Sequence, residues 1–509
     1  MAETATTLHA LIQAGADEAT ALSSPGGVPL THGALRALAT RTVADFNAHG
    51  IGRGDRVAIV LDNGPEMAAA FIAVAAGTTS APLNPAYKAD EFKFYLTDLG
   101  AKVLVVAEGS ASPAVAVAEA LGIAVVRLTP TPNRGAGSFT LAFPMADAAP
   151  AAGGPAEPSD IALVLHTSGT TSRPKIVPLT QTNVCASAGN IRTALAFTAE
   201  DRGLNIMPLF HIHGLIAGIL APLSAGGQVA CTPGFNALKF FGWMGEVRPT
   251  WYTAVPTMHQ AILGRAARNA EVIKANPLRF IRSSSSSMPP QVMKEIEEAF
   301  GAPLIEAYGM TEAAHQMASN PLPPRPHYPG VVGLAAGPEI AIVDFDGEPL
   351  PVGETGEIVI RGANVMAGYE NNEAANATAF TPQGWFRTGD QGTLSPEGYL
   401  TITGRLKEII NRGGEKISPR EVDEILMDHP AVSQCVTFAV PHDKLGEDVS
   451  AAVVLREGES LTEKDLRSFA AERLAPFKVP AKILFLDEIP KGATGKLQRI
   501  GLAEKLGLA

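Results

Sequence analysis

Cysteine is scarce: there are three in 509 residues, Cys185, Cys231 and Cys435, far apart and in no metal-ligand spacing. That excludes a disulfide framework and a thiolate metal site, and leaves reduced, structural thiols. Positive charge is also in deficit. Forty Lys and Arg stand against 51 Asp and Glu, a net charge of −11, so no basic face for nucleic acid is expected. No uninterrupted apolar run approaches the ~20 residues of a membrane-spanning helix. The opening "MAETATTLHALIQAGADEAT" carries acids and no basic segment, and "KLGLA" is not a peroxisomal tripeptide. A cytoplasmic location is the resulting expectation. What remains is a globular composition, 46% hydrophobic and 18% charged, in a chain too long for one ordinary domain.

Strand-like and helix-like segments alternate. "RVAIVLDN" precedes the helical "PEMAAAFIAVAAG", and "AKVLVVAEG", "SPAVAVAEALG" and "IAVVRL" read as strand, helix, strand. Pro- and Gly-rich stretches flank Ser138–Asp147 as surface linker. "GEIVIRG" and "GYLTITGR" read as short antiparallel strands. After Arg405 the pattern restarts: "SPREVDEILMDHP" predicts a helix with Ser418 as N-cap, Pro419 at N1 and Glu421 at N3, and two strands and a helix follow.

The apolar run Ile161–Leu165 ends in "HTSGTTSRPK", a hydroxyl-rich loop with two cations. Such a loop suits phosphate, because backbone N–H groups and hydroxyls donate to its oxygens while cations neutralise it. It is not the Walker pattern, and composition alone would equally allow a polar surface turn. Other stretches decide between them: "PLFHIHGL" (Pro208–Leu215), "YGMTE" (Tyr308–Glu312), "TGD" (Thr388–Asp390), "GRLKEIINRGGEKISP" (Gly404–Pro419) and "PKGATGKLQR" (Pro490–Arg499). Together and in this order they resemble the acyl-adenylate-forming superfamily of acyl-CoA synthetases, peptide-synthetase adenylation domains and luciferases.

The resemblance implies an α/β fold. A large N-terminal domain of several subdomains, residues 1–404, would hold parallel α/β sheets and a small β-barrel. A smaller, mobile α+β domain, residues 405–509, would turn about a hinge at Lys407. It also implies a reaction in two halves. A carboxylate attacks the α-phosphate of ATP to give acyl-AMP and pyrophosphate, and the thiol of coenzyme A then displaces AMP. By the same resemblance Thr167, Ser168, Gly169, Thr170, Thr171 and Lys175 cradle phosphates, and Glu312 holds Mg²⁺ with Thr170 as a further metal contact. Thr311 meets the α-phosphate. Ser287, Tyr308, Gly309 and Met310 surround the nucleotide, with Tyr308 on the adenine. Asp390 accepts the ribose hydroxyls, Arg405 holds ribose or phosphate, and Lys496 bridges carboxylate and α-phosphate. Arg412, Gly413, Gly414 and Lys416 face coenzyme A.

The acyl end departs from the usual Gly/Ala-rich wall. "RSSSSSMPP" (Arg282–Pro290) places hydroxyls where a greasy tail would leave them poorly paired. His211 matches the family's gate position, His213 lies two residues on, and His315 follows in "MTEAAH". With Ser285 and Ser286 they suggest a polar, anionic acid, with His213, Ser285 and His315 on its second carboxylate. This pattern is similar to that of the oxalate–CoA ligases. Trp251 reads better as core packing than as a pocket wall. Ile176 stands where the superfamily usually has Gly; it either occupies ordinary extended backbone or weakens ATP binding. The other readings are a ligase for malonate or an aryl or medium-chain acid, an enzyme loading a carrier protein in trans, and an inactive nucleotide-binding protein. The expected partners are small molecules alone, with the chain a monomer or homodimer.

Overall fold

The helix Pro65–Ala75 shows how the larger part is built. Every residue from Met67 to Ala75 is buried, as befits a helix that is apolar all round. It packs against Thr79–Pro82 of one sheet and against Thr20–Ser23 and Gln228–Cys231 of another. The computed structural model describes residues 5–167, 174–492 and 496–509.

The first of these sheets has seven strands, in the order Phe139–Ala142, Ala124–Pro130, Val103–Ala107, Arg56–Val60, Thr79–Pro82, Ile161–Thr167, Lys175–Thr180. Its interior pairs are parallel and its two outer pairs antiparallel. The edge strand Phe139–Ala142 lies between the two stretches expected to be linker. The second sheet has nine strands; the six from Leu304–Met310 through Phe280–Ser283, Trp251–Ala254, Arg202–Asn205 and Gln228–Cys231 to Thr20–Ser23 run parallel. Parallel sheets are covered on both faces, and these strands are largely buried even where they carry polar residues such as Arg282 and Glu306.

Where a small barrel is expected, the described strands form an open antiparallel sheet of four: Glu339–Val343, Gly356–Arg361, Phe386–Leu394 and Leu400–Arg405. The smaller C-terminal domain has its own five-stranded sheet, Glu415–Ile417, Ile410–Arg412, Gly446–Leu455, Val432–His442 and Lys482–Phe485. Its helix Pro419–Met427 starts where the sequence predicts, but Ser418 makes no capping bond. The Ser418 hydroxyl donates instead to the Thr403 carbonyl, and Glu421 pairs with Lys478 Nζ at 2.7 Å. No helix among the described residues is long and apolar enough to cross a membrane. All three cysteines are buried and free.

Candidate active site

Neighbouring parallel strands bring the acyl-end residues together. Thr253 and Arg282 are register partners on adjacent strands, so their side chains share a face. His213 opens a wide, π-type helix, His213–Leu220, a form concentrated at functional sites. Its Nδ1 lies 3.1 Å from Ser285 Oγ and its Nε2 2.7 Å from Thr253 Oγ1. The His315 ring stacks on it, centroids 4.8 Å apart. Gly309 lets the His315 backbone come close to its own strand, since a Cβ there would lie 1.8 Å from the His315 carbonyl oxygen. Ser285 and His315 hold φ of 76° and 100°. Positive φ in non-glycine residues is strain that concentrates at functional sites.

Burial disfavours charge on all three histidines. His211 is brought down to about 3 by burial and then by Lys496. His213 and His315 fall well below the ordinary value, again through burial first and then the neighbouring cations and rings. Burial therefore favours neutral imidazoles at all three positions. Within the serine run, Ser284 Oγ donates to the Ala307 carbonyl at 2.9 Å, whereas Ser286 and Ser287 are exposed. Of that run, Ser285 is the one bonded to His213. Trp251 is core, buried against Phe197 and Phe280.

The nucleotide-end residues form a second group. The Tyr308 hydroxyl donates to Asp390 Oδ2, and Arg405 Nε lies 3.5 Å from Asp390 Oδ1. Burial raises the Asp390 pKa and Arg405 opposes the rise. Met310 precedes a short turn, Thr311–Ala313, that places Thr311 half-buried and the Glu312 carboxylate buried. Tyr369 donates to Glu312 Oε1 at 2.8 Å, and Lys175 Nζ sits 4.2 Å over the Tyr369 ring. Lys175 has a lowered pKa, from burial and then from Lys407, so the exposed residue at the expected hinge lies within its field. Lys496 is set among Arg405, Asp390 and Glu312; burial first, then Arg405, brings its pKa down to about 8.

Thr167 ends the strand leading into the loop, half-buried and paired with Lys175. Ser168, Gly169, Thr170 and Thr171 lie outside the described residues, as do Ser172 and Arg173. Ile176 is extended, in register with His166 and 5% exposed, so the first of the two readings for that position holds. The residues assigned to coenzyme A stand on a hairpin of the C-terminal sheet. Arg412 Nε donates to Asp448 at 2.6 Å, Gly413 N to the Leu445 carbonyl at 2.8 Å, and Lys416 is exposed. Gly413 and Gly414 take φ of 61° and 97°, as a tight hairpin turn requires.

Four residues of the site escaped sequence reasoning: Arg282, Thr253, Gln316 and Tyr369. Only Arg282 carried a signal, a charge directly after the apolar pair Phe280–Ile281 in a strand that is buried throughout. Among the described residues no group of three or more His, Cys, Asp or Glu is placed to hold a metal ion. One buried carboxylate, Glu312, fits Mg²⁺, which binds through one or two carboxylates plus substrate phosphates.

The AMP-binding enzyme family matches residues 12–370, and the AMP-binding enzyme C-terminal domain matches residues 421–496. An oxalate–CoA ligase of Arabidopsis thaliana is 48% identical, with 94% of each chain covered. One from Saccharomyces cerevisiae is 42% identical, covering 89% of this chain and 87% of the yeast protein. The crystal structure of ATP-bound MatB from Rhodopseudomonas palustris superposes with a TM-score of 0.87 at 29% identity, covering 98% of both chains. The chain belongs to the AMP-binding enzyme family, among its acid–CoA ligases.

Proposed function

We propose that this ligase joins oxalate to coenzyme A through an oxalyl-adenylate. The observation that carries the reading is the acyl pocket: two buried neutral imidazoles, His213 and His315, with Ser285 beside them and a guanidinium behind. An aryl or alkyl tail offers no acceptor to the donors of this set, at ~1–3 kcal/mol for each donor left unpaired. A second carboxylate gives them an acceptor. The full-length similarity to two oxalate–CoA ligases supports the same acid.

In this reading one oxalate oxygen attacks the α-phosphorus and pyrophosphate leaves with the P–O bonding pair. Lys496, drawn toward Asp390 and Glu312, holds attacking carboxylate and α-phosphate together as a cation. Lys175 and Thr167, with the loop residues 168–171, take the outer phosphates. Asp390 and Arg405 hold the ribose, and Tyr308, Gly309, Met310 and Ser287 enclose the base. Glu312 would hold Mg²⁺, which supplies charge neutralisation on the phosphates. Thr311 donates to the α-phosphate, and His211 screens the junction between acyl and nucleotide ends. The C-terminal domain, residues 405–509, then turns about Lys407. That motion carries Lys496 away and brings the hairpin with Arg412, Gly413, Gly414 and Lys416 to the acyl-adenylate. The thiolate of coenzyme A attacks the acyl carbon and AMP leaves.

The test is AMP release across oxalate, malonate, acetate, octanoate and coumarate, each with and without coenzyme A. Preference for oxalate that needs coenzyme A is the expected result. Preference for octanoate or coumarate would keep the adenylating machinery and discard the pocket reading.

A further inference from the structure

Arg282 is fully buried, yet each hydrogen bond of its guanidinium runs to a neutral group. Nη1 donates to His213 Nε2 at 3.2 Å and, at a long 3.5 Å, to Thr253 Oγ1. Nη2 donates to His315 Nε2 at 3.1 Å and to Gln316 Oε1 at 3.3 Å. Nε has no partner among the described residues. Burial draws the pKa of the group down to about 9, and no acid among the described residues offsets it. An uncompensated buried charge is costly, and a fold retains one most readily where an anion arrives to balance it.

The geometry also fixes the polarity of the pocket. A guanidinium can only donate. His213 and His315 must therefore each present Nε2 as an acceptor to it, with both rings neutral and their protons on Nδ1. The His213 Nδ1–H then donates to Ser285 Oγ, which leaves the serine's own hydrogen for another acceptor. The two stacked rings turn N–H edges away from the guanidinium. Donors thus replace what could have been acceptors, and the positive charge stands behind them.

We propose that Arg282 is the specificity-determining cation of the acyl site: acting through His213 and His315, it selects acids whose far end is a second carboxylate over acids whose far end is neutral. The inference rests on the reading of this pocket as one for a small dicarboxylate. Arg282 is a positioning residue, one step removed from the acid.

The experiment is acid-dependent ATP–pyrophosphate exchange in wild type, Arg282→Gln and Arg282→Lys. Two isosteric pairs serve as probes: oxalate with oxamate, and malonate with malonamate. In each pair an amide replaces one carboxylate. Wild type should prefer the dianion. Arg282→Gln should lower kcat/KM for the dianion about 10- to 100-fold, chiefly through KM, and shift the amide acid by less than about threefold. Arg282→Lys keeps charge without the fork and should regain part of the preference. Equal losses on both members of a pair, with a matching rise in KM for ATP, would overturn the proposal in favour of a purely structural role. If oxalate is refused but malonate is preferred over malonamate, the oxalate reading falls while Arg282 is still judged on the second pair. No dianion preference in either pair would sink both. A measurement on wild type guards against a variant that fails to fold. Imidazole ¹⁵N shifts should show His213 and His315 neutral and protonated on Nδ1 at neutral pH; an Nε2–H tautomer or an imidazolium at either position contradicts the relay.

Discussion

The Tyr369 hydroxyl donates to Glu312 Oε1 at 2.8 Å while its ring carries Lys175 Nζ 4.2 Å above its centre. One side chain therefore couples the cation beside the phosphate loop to the carboxylate proposed for Mg²⁺. Burial raises the Glu312 pKa, and a backbone hydrogen bond and the Tyr369 hydroxyl oppose that rise. Tyr369→Phe keeps the ring and the cation–π contact but removes a bond to a buried charge, so adenylation should slow roughly tenfold. Pyrophosphate exchange titrated with Mg²⁺ reads this directly: half-saturation should move to higher metal, with little change in KM for ATP. Tyr369→Ala loses the ring as well and should raise KM for ATP. An unaltered Mg²⁺ requirement in Tyr369→Phe would remove Tyr369 from the metal end of the site.

The bridging role proposed for Lys496 implies an alkaline limit to the reaction. Its pKa is down to about 8, through burial first and Arg405 next, with Asp390 and Glu312 pulling the other way. The ammonium is the form that can bridge two anions. Adenylation measured as kcat/KM should therefore be level below that pKa and decline as pH rises through it. Bound phosphates favour the charged form, so the same break in kcat should lie at higher pH. Lys496→Arg should push the limb out of range, because a guanidinium stays protonated. Lys496→Ala should cut adenylation and leave thioester formation from supplied acyl-AMP largely intact. Equal loss in both half-reactions would contradict the proposed withdrawal of this lysine between them.

What the sequence made legible follows from how its signals arise. The parallel strands announced themselves because strands covered on both faces are largely apolar, as Val103–Ala107 is throughout and Arg56–Val60 is after its first residue. The nucleotide-end groups stood out because short contiguous stretches carry them: Tyr308 to Glu312 span a strand end and its turn. The foundation of the proposed acyl pocket had no such signature. Thr253 meets Arg282 only because their strands are neighbours in the sheet, although the two residues stand 29 positions apart. Tyr369 reaches Glu312 across 57 positions. Ser418 illustrates the opposite failure. Its local pattern gave the right helix start, but the Thr403 carbonyl competed for its hydroxyl and won. Phe139–Ala142 became a strand through an edge partner, Ala124–Pro130, that flanking Pro and Gly could not reveal.

Glu306 ties stability to pH at the contact between the two domains. It lies on the strand Leu304–Met310, 1% exposed, with Oε1 accepting from Met288 N at 3.1 Å and Oε2 unpartnered among the described residues. Burial lifts its pKa from 4.5 to about 7; Arg420 of the C-terminal helix pulls down and Glu424 pushes up. Because the folded value is the higher one, the folded state holds the extra proton between the two. The contribution to stability is fully present below the unfolded pKa and is lost as pH rises through the folded one. Above that point the fold carries an ionised carboxylate in a dry site. Glu306→Gln, a neutral near-isostere, should raise Tm by about 2–4 °C near pH 8 and by much less near pH 5. Thermal unfolding of both proteins at the two pH values checks this. Arg420→Ala removes a nearby cation that favours the charged form, so it should lower Tm near pH 8 in wild type and have less effect on the Glu306→Gln background. Equal shifts at both pH values would mean that Glu306 acts through packing, and that its proton is not what the domain contact responds to.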